Sequence, residues 1–266
     1  MDYITNNESI LRLSAFLFFL FLIFIMELFF PIYIRSFKTY KRWFINFTFV
    51  FVNTLILRFL FPILAVGFAA ICNDYNVGIF NYFNVPIWTS MILAFLLLDL
   101  GIWVQHLLFH QISFFWRFHK IHHSDEEMDF STGIRFHPLE IIISMIYKLM
   151  LIIAIGPSVA LVIIFEIILN ASSIFNHGNI KISKNADIIL RKLIVTPNMH
   201  RIHHSEEEKE TNSNYGFNLS IWDKLFGTYN MRPMKKDNII VGLKELNNKK
   251  KSLLFLLFSP FKLRKN

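Results

Sequence analysis

Long apolar runs constrain the fold of this chain more than any other feature of its sequence. They cover residues 13–34, 43–72, 86–104 and 141–176. A helix needs roughly 20 mostly apolar residues to cross a bilayer, and the first three runs are long enough. Pro62 predicts a kink in the second run, which is longer than one crossing requires. Gly156-Pro157 interrupts the fourth run, which predicts either two short spans or a re-entrant hairpin with both ends on one side.

The composition also indicates a membrane protein. Hydrophobic residues make up 54% of the 266 residues and the mean hydropathy is +0.45, more apolar than a water-soluble exterior accommodates. The net charge of +8 suits Lys and Arg in cytoplasmic loops better than a nucleic-acid partner. With one cysteine, Cys72, no intrachain disulfide forms, and any metal site must use nitrogen and oxygen ligands. We therefore predict an all-α integral membrane fold built as a transmembrane helix bundle.

The two ends of the sequence carry weaker signals. The first apolar run is too long for the core of a signal peptide, and no small-residue cleavage site follows it, so we expect a retained span. Near the other end, Lys235, Lys236 and the lysines at 249–251 precede a short apolar stretch at 253–258. This pattern predicts a basic membrane-surface tail, with a solvated basic tail as the alternative.

Positive charge predicts the orientation of the spans. The first connection contains Arg35, Lys38, Lys41 and Arg42, whereas residues 73–85 contain no Lys or Arg. By the positive-inside rule the first connection is cytoplasmic, and the third span then returns the chain to the cytoplasm. The ten histidines all lie at that end or in segments that return to it, at positions 106, 110, 119, 122, 123, 137, 177, 200, 203 and 204. Histidines scattered through a core would not sort to one face in this way.

Three histidine motifs follow one another in this part of the chain. The first pairs His106 with His110, and two boxes of the form His-x-x-His-His contain His119, His122 and His123, then His200, His203 and His204. Each spacing places its imidazoles on one face of a helix, where they can hold a metal ion together. One ion takes four to six ligands, so eight aligned histidines predict two ions. Imidazole suits zinc, copper, iron and nickel, and bound hydroxide or nearby carboxylates must offset the ionic charge.

Three carboxylates are candidates for that supporting role. Asp99 lies two turns before His106 on the same helix face, and we expect it to accept a hydrogen bond from a ligand imidazole. Asp223 and Glu140 are weaker candidates for the same role.

The two remaining histidines differ in their expected roles. His177 follows the last apolar run and could be a ninth ligand, while Ser173, one turn earlier, could add only a hydroxyl group. His137 precedes Pro138, which disfavours helical backbone at residue 137 and is itself favoured in a first helical turn. We therefore expect His137 to support the site from the start of a helix.

In their order, these motifs resemble the fatty acid hydroxylase and sterol desaturase superfamily of membrane di-iron enzymes. Flanking segments contribute to the resemblance as well. They are residues 115–124 (FWRFHKIHHS), 135–140 (RFHPLE), 175–179 (FNHGN), 196–205 (TPNMHRIHHS), 214–218 (NYGFN) and 222–229 (WDKLFGTY). The similarity covers residues 92–229, a little over half of the chain.

The resemblance implies a cytosolic helical cap that carries the histidine boxes, two iron ions, and O₂-dependent attack on a C–H bond of a membrane lipid. The lipid could be a sterol, a fatty acyl chain or a sphingoid chain, and the product an alcohol or, in a desaturase, an alkene. The implied ligands are His106, His110, His119, His122, His123, His177, His200, His203 and His204. Electrons are expected from a separate protein, a ferredoxin or a cytochrome. Transmembrane helices over 1–91, a catalytic unit over 92–230 and the tail over 231–266 complete the expected organisation.

Two other classes of function are alternatives. A zinc-dependent membrane hydrolase or lyase usually takes three protein ligands per ion, fewer than these histidines supply. A metal transporter, or another non-enzymatic metal-binding membrane protein, would place polar ligands along its spans near the midplane. Because the histidines gather at one face, a lipid monooxygenase is the leading hypothesis.

Overall fold

A computed structural model describes residues 2–36, 38–234, 239–247 and 251–262, which form helices and no β-strand. The helices are α1 (Asp2–Asn6), α2 (Glu8–Phe29), α3 (Thr39–Leu60), α4 (Ala65–Asp74), α5 (Ile79–Tyr82), α6 (Ile87–Gln111), α7 (Ser113–His123), α8 (Pro138–Ile155), α9 (Val159–His177), α10 (Lys184–Leu190), α11 (Pro197–His203), α12 (Glu208–Thr211), α13 (Ile221–Leu225) and α14 (Leu253–Lys262). A 3₁₀ turn, Thr132–Ile134, separates α7 from α8.

Five helical segments among these residues are long and apolar enough to cross a membrane. They are Glu8–Phe29, Thr39–Tyr82, Ile87–Gln111, Pro138–Ile155 and Val159–His177. Many of their large apolar side chains face outward, as expected of helices that contact lipid. The chain is therefore a multi-pass helical membrane protein, as its sequence predicts.

Two helix boundaries differ from those that the apolar runs predict, and a proline explains each difference. The first run predicts a span to residue 34, but α2 ends at Phe29 because Pro31 cannot donate a helical hydrogen bond. The second run predicts a kink at Pro62, whereas the structure has a full break between α3 and α4. Phe61 leaves the helical conformation, at φ −122° and ψ 87°, because a residue before proline avoids the helical region.

The helical hairpin α8–α9 defines the two ends of the bundle. Its arms meet at Gly156, whose φ of +69° allows the tight reversal. Gly78 lies against this turn so closely that a Cβ atom there would be 2.3 Å from the Gly156 nitrogen. At the opposite end, Arg42 at the start of α3 donates to Asp125 at 2.8 Å. The positively charged first connection therefore lies at the histidine end, and the second connection, which contains no Lys or Arg, lies at the hairpin turn.

Buried polar contacts fasten the histidine end together. Arg135 is fully buried and donates to the Ile121 carbonyl at 3.0 Å and to Ser124 at 2.8 Å. Asp125 accepts from Thr132 at 2.8 Å in addition to Arg42. Because buried charges persist only when they are paired, these contacts fix the end of α7 against α3 and the 3₁₀ turn.

The tail helix α14 packs on the histidine end. Leu256 is buried against Phe49 and Ile121, while Leu254 and Phe258 remain exposed. The lysines 235, 236, 249 and 250, on which the predicted basic tail depends, lie outside the described residues. The described part of the tail is an amphipathic helix, and its membrane contact stays a prediction.

Candidate metal centre

Four helices bring nine of the ten histidines together. The last two turns of α6 present His106 and His110, α7 presents His119, His122 and His123, α9 ends at His177, and α11 presents His200 and His203 with His204 directly after it. Thr196 begins α11 by accepting from the Met199 backbone N–H at 3.2 Å, with Pro197 in the first turn. The second box is therefore helical from its first histidine, as its spacing predicts.

The nine histidines form two groups with nitrogen atoms within 4.8 Å of one another. The first group is His106, His110, His119, His123 and His203, and the second is His122, His177, His200 and His204. Every member is buried. The motifs are divided between the groups, because residues i and i+4 of the first box face one group and residue i+3 faces the other.

In the second group, bare ring nitrogens converge. The Nε2 atom of His177 lies 2.9 Å from that of His122 and 3.1 Å from those of His200 and His204. The Nδ1 atoms of His177 and His122 face backbone carbonyls at 2.6 and 3.1 Å. Since a carbonyl only accepts, both Nδ1 atoms carry the proton, and Nε2 of each neutral ring is a bare lone pair. Lone pairs this close repel unless a cation lies between them, so this donor set fits a metal ion.

The unpaired ring nitrogens of the first group also fit a metal ion. His106 and His203 donate from Nδ1 to the carbonyls of Tyr215 and Ser213 at 2.8 and 2.7 Å, and their Nε2 atoms have no partner. Both ring nitrogens of His110 also lack a partner. Burying so many unpaired nitrogens would be costly, and metal coordination removes that cost.

Burial keeps the imidazoles in the ligating form. Together with the neighbouring rings, it lowers the pKa of His122, His123, His200, His203 and His204 well below the usual value. Burial also lowers the pKa of His119 to about 3. These rings are neutral at pH 7 and need not release a proton to bind a metal ion.

Glu140 is the carboxylate that touches a candidate ligand. Its Oε1 lies 2.6 Å from Nδ1 of His119, and both side chains are buried. It stands in the first turn of α8, directly beyond the segment that follows α7. A carboxylate here fixes the His119 ring and offsets positive charge at the first group.

Asp99 does not accept from a ligand imidazole, contrary to the prediction. It accepts instead from the side chains of Asn218 and Trp222, both at 2.8 Å, and from the Leu219 N–H at 3.3 Å. Two turns of helix separate Asp99 from His106 by about 10 Å, beyond the reach of a carboxylate along its own helix. Asp99 therefore fastens the segment before and within α13 to α6.

Asp223 supports the histidines indirectly, through the backbone of another residue. It accepts from the backbone N–H groups of Tyr215 and Gly216 at 2.8 and 2.7 Å, and from the Trp103 indole at 3.0 Å. Tyr215 is the residue whose carbonyl orients His106. Asp223 thus positions an acceptor of the first group, although it touches no candidate ligand itself.

His137 and Ser173 lie outside both groups. His137 caps α8, accepting from the Leu139 N–H at 3.1 Å, and its Nε2 donates to the Leu257 carbonyl at 3.1 Å. The hydroxyl of Ser173 donates to the Gly133 carbonyl at 2.6 Å. Both side chains are therefore occupied by structural hydrogen bonds, and His137 lies at a helix start as expected.

A cavity of about 310 Å³ lies beside the first group. His106 and His119 line one part of it, and the exposed residues Thr54 and Asn170 lie on its rim, so it reaches the outer surface of the bundle. Its apolar lining includes Phe16, Val50, Leu57, Ile102, Phe109 and Leu169. Such a lining suits a hydrocarbon chain that enters from the membrane.

The polar lining of this cavity was missed by sequence reasoning. Asn53, Gln105, Ser144 and Lys148 belong to it, and all four lie on membrane-spanning helices. Polar side chains within apolar helices are costly in lipid and commonly mark functional sites. That signal was present in the sequence, but it does not reveal which of the residues share a cavity.

Comparison with known proteins identifies the family. A family model of fatty acid hydroxylases matches residues 91–228, more than half of the chain. The chain belongs to the fatty acid hydroxylase family. This confirms the resemblance that the histidine boxes and their flanks carry.

Curated relatives of this family member are lipid-modifying enzymes. The alkylglycerol monooxygenase of Homo sapiens is 31% identical over 172 residues, which is 62% of this chain and 36% of that protein. The ornithine lipid hydroxylase OlsE of Rhizobium tropici is 28% identical over 159 residues, 59% of this chain and 47% of that protein. The chain thus spans less than half the length of the relatives that it matches. No solved structure matches it significantly.

Proposed function

We propose that this chain is an O₂-dependent monooxygenase that hydroxylates a C–H bond of a membrane lipid, using two iron ions. The observation that carries the proposal is the convergence of nine buried, neutral imidazoles into two groups beside a cavity open to the bundle surface. Nine imidazoles exceed what a zinc hydrolase site usually needs, and they leave iron free to change oxidation state.

Each group of histidines is assigned one ion. When bound, iron would supply activation of O₂, in which one oxygen atom enters a C–H bond and the other leaves as water, with two electrons from a donor and two protons from the solvent. The chain's own residues hold the centre in place. Glu140 orients His119, the carbonyls of Tyr215 and Ser213 orient His106 and His203, and the apolar cavity excludes water.

The membrane setting completes the proposal. We assign the catalytic unit to residues 92–230 and the histidine end to the cytoplasmic face, and the positive charge of the first connection supports this orientation. A separate ferredoxin or cytochrome then delivers electrons from the cytoplasm. The relatives are named for alkylglycerols and for ornithine lipids, both of which combine a polar group with hydrocarbon chains. We assign this chain a lipid of the same general build.

Growth under ¹⁸O₂ tests the proposed function. Lipid extracts are compared from cells that express the wild-type chain, the His119→Ala variant, or the control Glu208→Gln, whose side chain is exposed. The wild type and the control should produce a lipid that carries one ¹⁸O atom, and His119→Ala should lack it. Equal labelling of that lipid in the His119→Ala extract would exclude the function.

A further inference from the structure

One acceptor in the cavity has no partner, although it is buried. Asn53 on α3 is 7% exposed, and its Nδ2 donates to the Phe136 carbonyl at 2.9 Å. Because a carbonyl can only accept, the amide orientation is fixed, and Oδ1 is the atom left without a partner. An amide oxygen so placed within a membrane span is costly unless a ligand donates to it.

A second unpaired acceptor lies next to the metal centre. Oε1 of Glu140 is occupied by His119, but Oε2 has no hydrogen-bond partner, and the side chain is 3% exposed. Glu140 and Asn53 both line the cavity. Gln105, which also lines the cavity, donates from Nε2 to the Ser144 hydroxyl at 2.6 Å, and its Oε1 is unpaired as well. The cavity therefore offers more acceptors than its own donors satisfy.

The charges around the cavity restrict the ligand further. Lys148 lies two turns beyond Glu140 on α8, lines the cavity, and pairs with Glu166 at 2.7 Å. A ligand ammonium group could pair with Glu140 Oε2 only beside the ions assigned to the histidines, whose positive charge opposes it. A phosphate or carboxylate would instead face the unpaired oxygens of Asn53 and Glu140. A neutral group that donates hydrogen bonds avoids both conflicts.

We propose that the cavity binds the hydroxyl-bearing polar end of the lipid substrate, with Asn53 Oδ1 and Glu140 Oε2 as the acceptors. This inference rests on the proposed function and specifies its substrate class as a neutral lipid with at least one hydroxyl donor. Since Glu140 contacts His119 directly, the polar end lies beside the metal centre. The carbon that is oxidised then lies close to the hydroxyl group, and the far end of the chain lies toward the rim at Thr54 and Asn170.

Matched lipid probes test the subsite through binding, independently of turnover. Tritiated hexadecane-1,2-diol and its 1,2-dimethoxy analogue have the same chain, but only the diol donates hydrogen bonds. Their affinities for the metal-loaded protein in detergent are measured by scintillation proximity, alongside hexadecylammonium. The variants are Asn53→Leu, which removes the acceptor, and Thr48→Val. Thr48 is the control because it lies on the same helix but does not line the cavity, and its hydroxyl is already donated to the Phe44 carbonyl at 2.7 Å.

The wild type should bind the diol about tenfold more tightly than the dimethoxy analogue, because the analogue leaves buried acceptors unpaired. The difference should fall below about twofold in Asn53→Leu and persist in Thr48→Val. Equal binding of the two probes by the wild type overturns the inference, as does hexadecylammonium binding as tightly as the diol. The wild-type comparison decides the question even where Asn53→Leu does not fold.

Product analysis adds a second readout. With O₂ and a reductant, the new oxygen in the diol should appear within about three carbons of the hydroxyl groups, since the polar end is held beside His119. Oxygen insertion near the methyl end would overturn the proposed placement. An absence of any oxidised product would count against the proposed function, while the binding ratio would still decide the subsite.

Discussion

Replacing Glu140 by glutamine probes the link between a buried carboxylate and one half of the metal centre. The amide oxygen can still accept from Nδ1 of His119, now 2.6 Å from Oε1, but the negative charge is lost. Loss of such a ligand-orienting partner costs about 10- to 100-fold in metal affinity, or about 1.4–2.7 kcal/mol. Glu140 contacts the first histidine group and has no hydrogen bond to the second. We therefore expect weaker binding of the ion assigned to the first group, while the affinity for the other ion stays unchanged.

A chelator titration followed by metal analysis measures this effect. The wild type, Glu140→Gln and the exposed control Glu208→Gln are loaded with metal and equilibrated with increasing chelator. Glu140→Gln should release one ion per chain at about 10- to 100-fold lower chelator concentration than the wild type, while the second ion stays. The control should follow the wild type. Release of both ions together, or an unchanged titration, would refute the assignment of Glu140 to one group.

Three further substitutions test how the site is supported. Gly133→Ala would place a Cβ atom 2.5 Å from the Ser173 carbonyl oxygen and 3.2 Å from His177 Nδ1, so metal analysis should find the ion of the second group depleted; full occupancy would contradict this packing. His137→Ala removes a helix cap, at about 1 kcal/mol, and should lower the thermal inactivation temperature while both ions remain, whereas loss of an ion would make His137 a ligand. Asp99→Leu leaves three hydrogen-bond donors unpaired, at about 1–3 kcal/mol each, so the variant should unfold at a clearly lower temperature but keep both ions in the cold. Loss of one ion without a lower unfolding temperature would instead support the predicted hydrogen bond between Asp99 and a ligand imidazole.

The helical fold and the gathering of the histidines follow from local patterns in the sequence. Apolar runs are long enough to show spans directly, and helical spacing predicts that His119, His122 and His123 all point into one site. The expectation that one box holds one ion together was wrong, because His122 faces the other group from His119 and His123. The positive charge of the first connection correctly predicted that this connection lies at the same end of the bundle as the histidines. Even the break at Pro62 was located, although a proline alone does not distinguish a kink from an interruption.

The supporting contacts could not be ranked from the sequence, because they join residues far apart along the chain. Asp99 was preferred for its position on the helix of His106, whereas the carboxylate that contacts a candidate ligand is Glu140, on another helix, which the sequence offered only as a weaker candidate. Backbone carbonyls such as that of Tyr215 orient other rings. Because every residue has a carbonyl, the sequence does not show which of them do so. The cavity depends in the same way on how α3, α6, α8 and α9 pack. Local periodicity therefore predicts which face of its helix a residue occupies, but not which residues pack against that face.

The metal content of the purified protein tests the central claim most directly. Two groups of buried imidazoles, each with bare lone pairs directed inward, predict two ions per chain. Protein purified from iron-replete cells and quantified by elemental analysis should contain two iron atoms per chain. One metal atom or none per chain, or zinc in place of iron, would contradict the account.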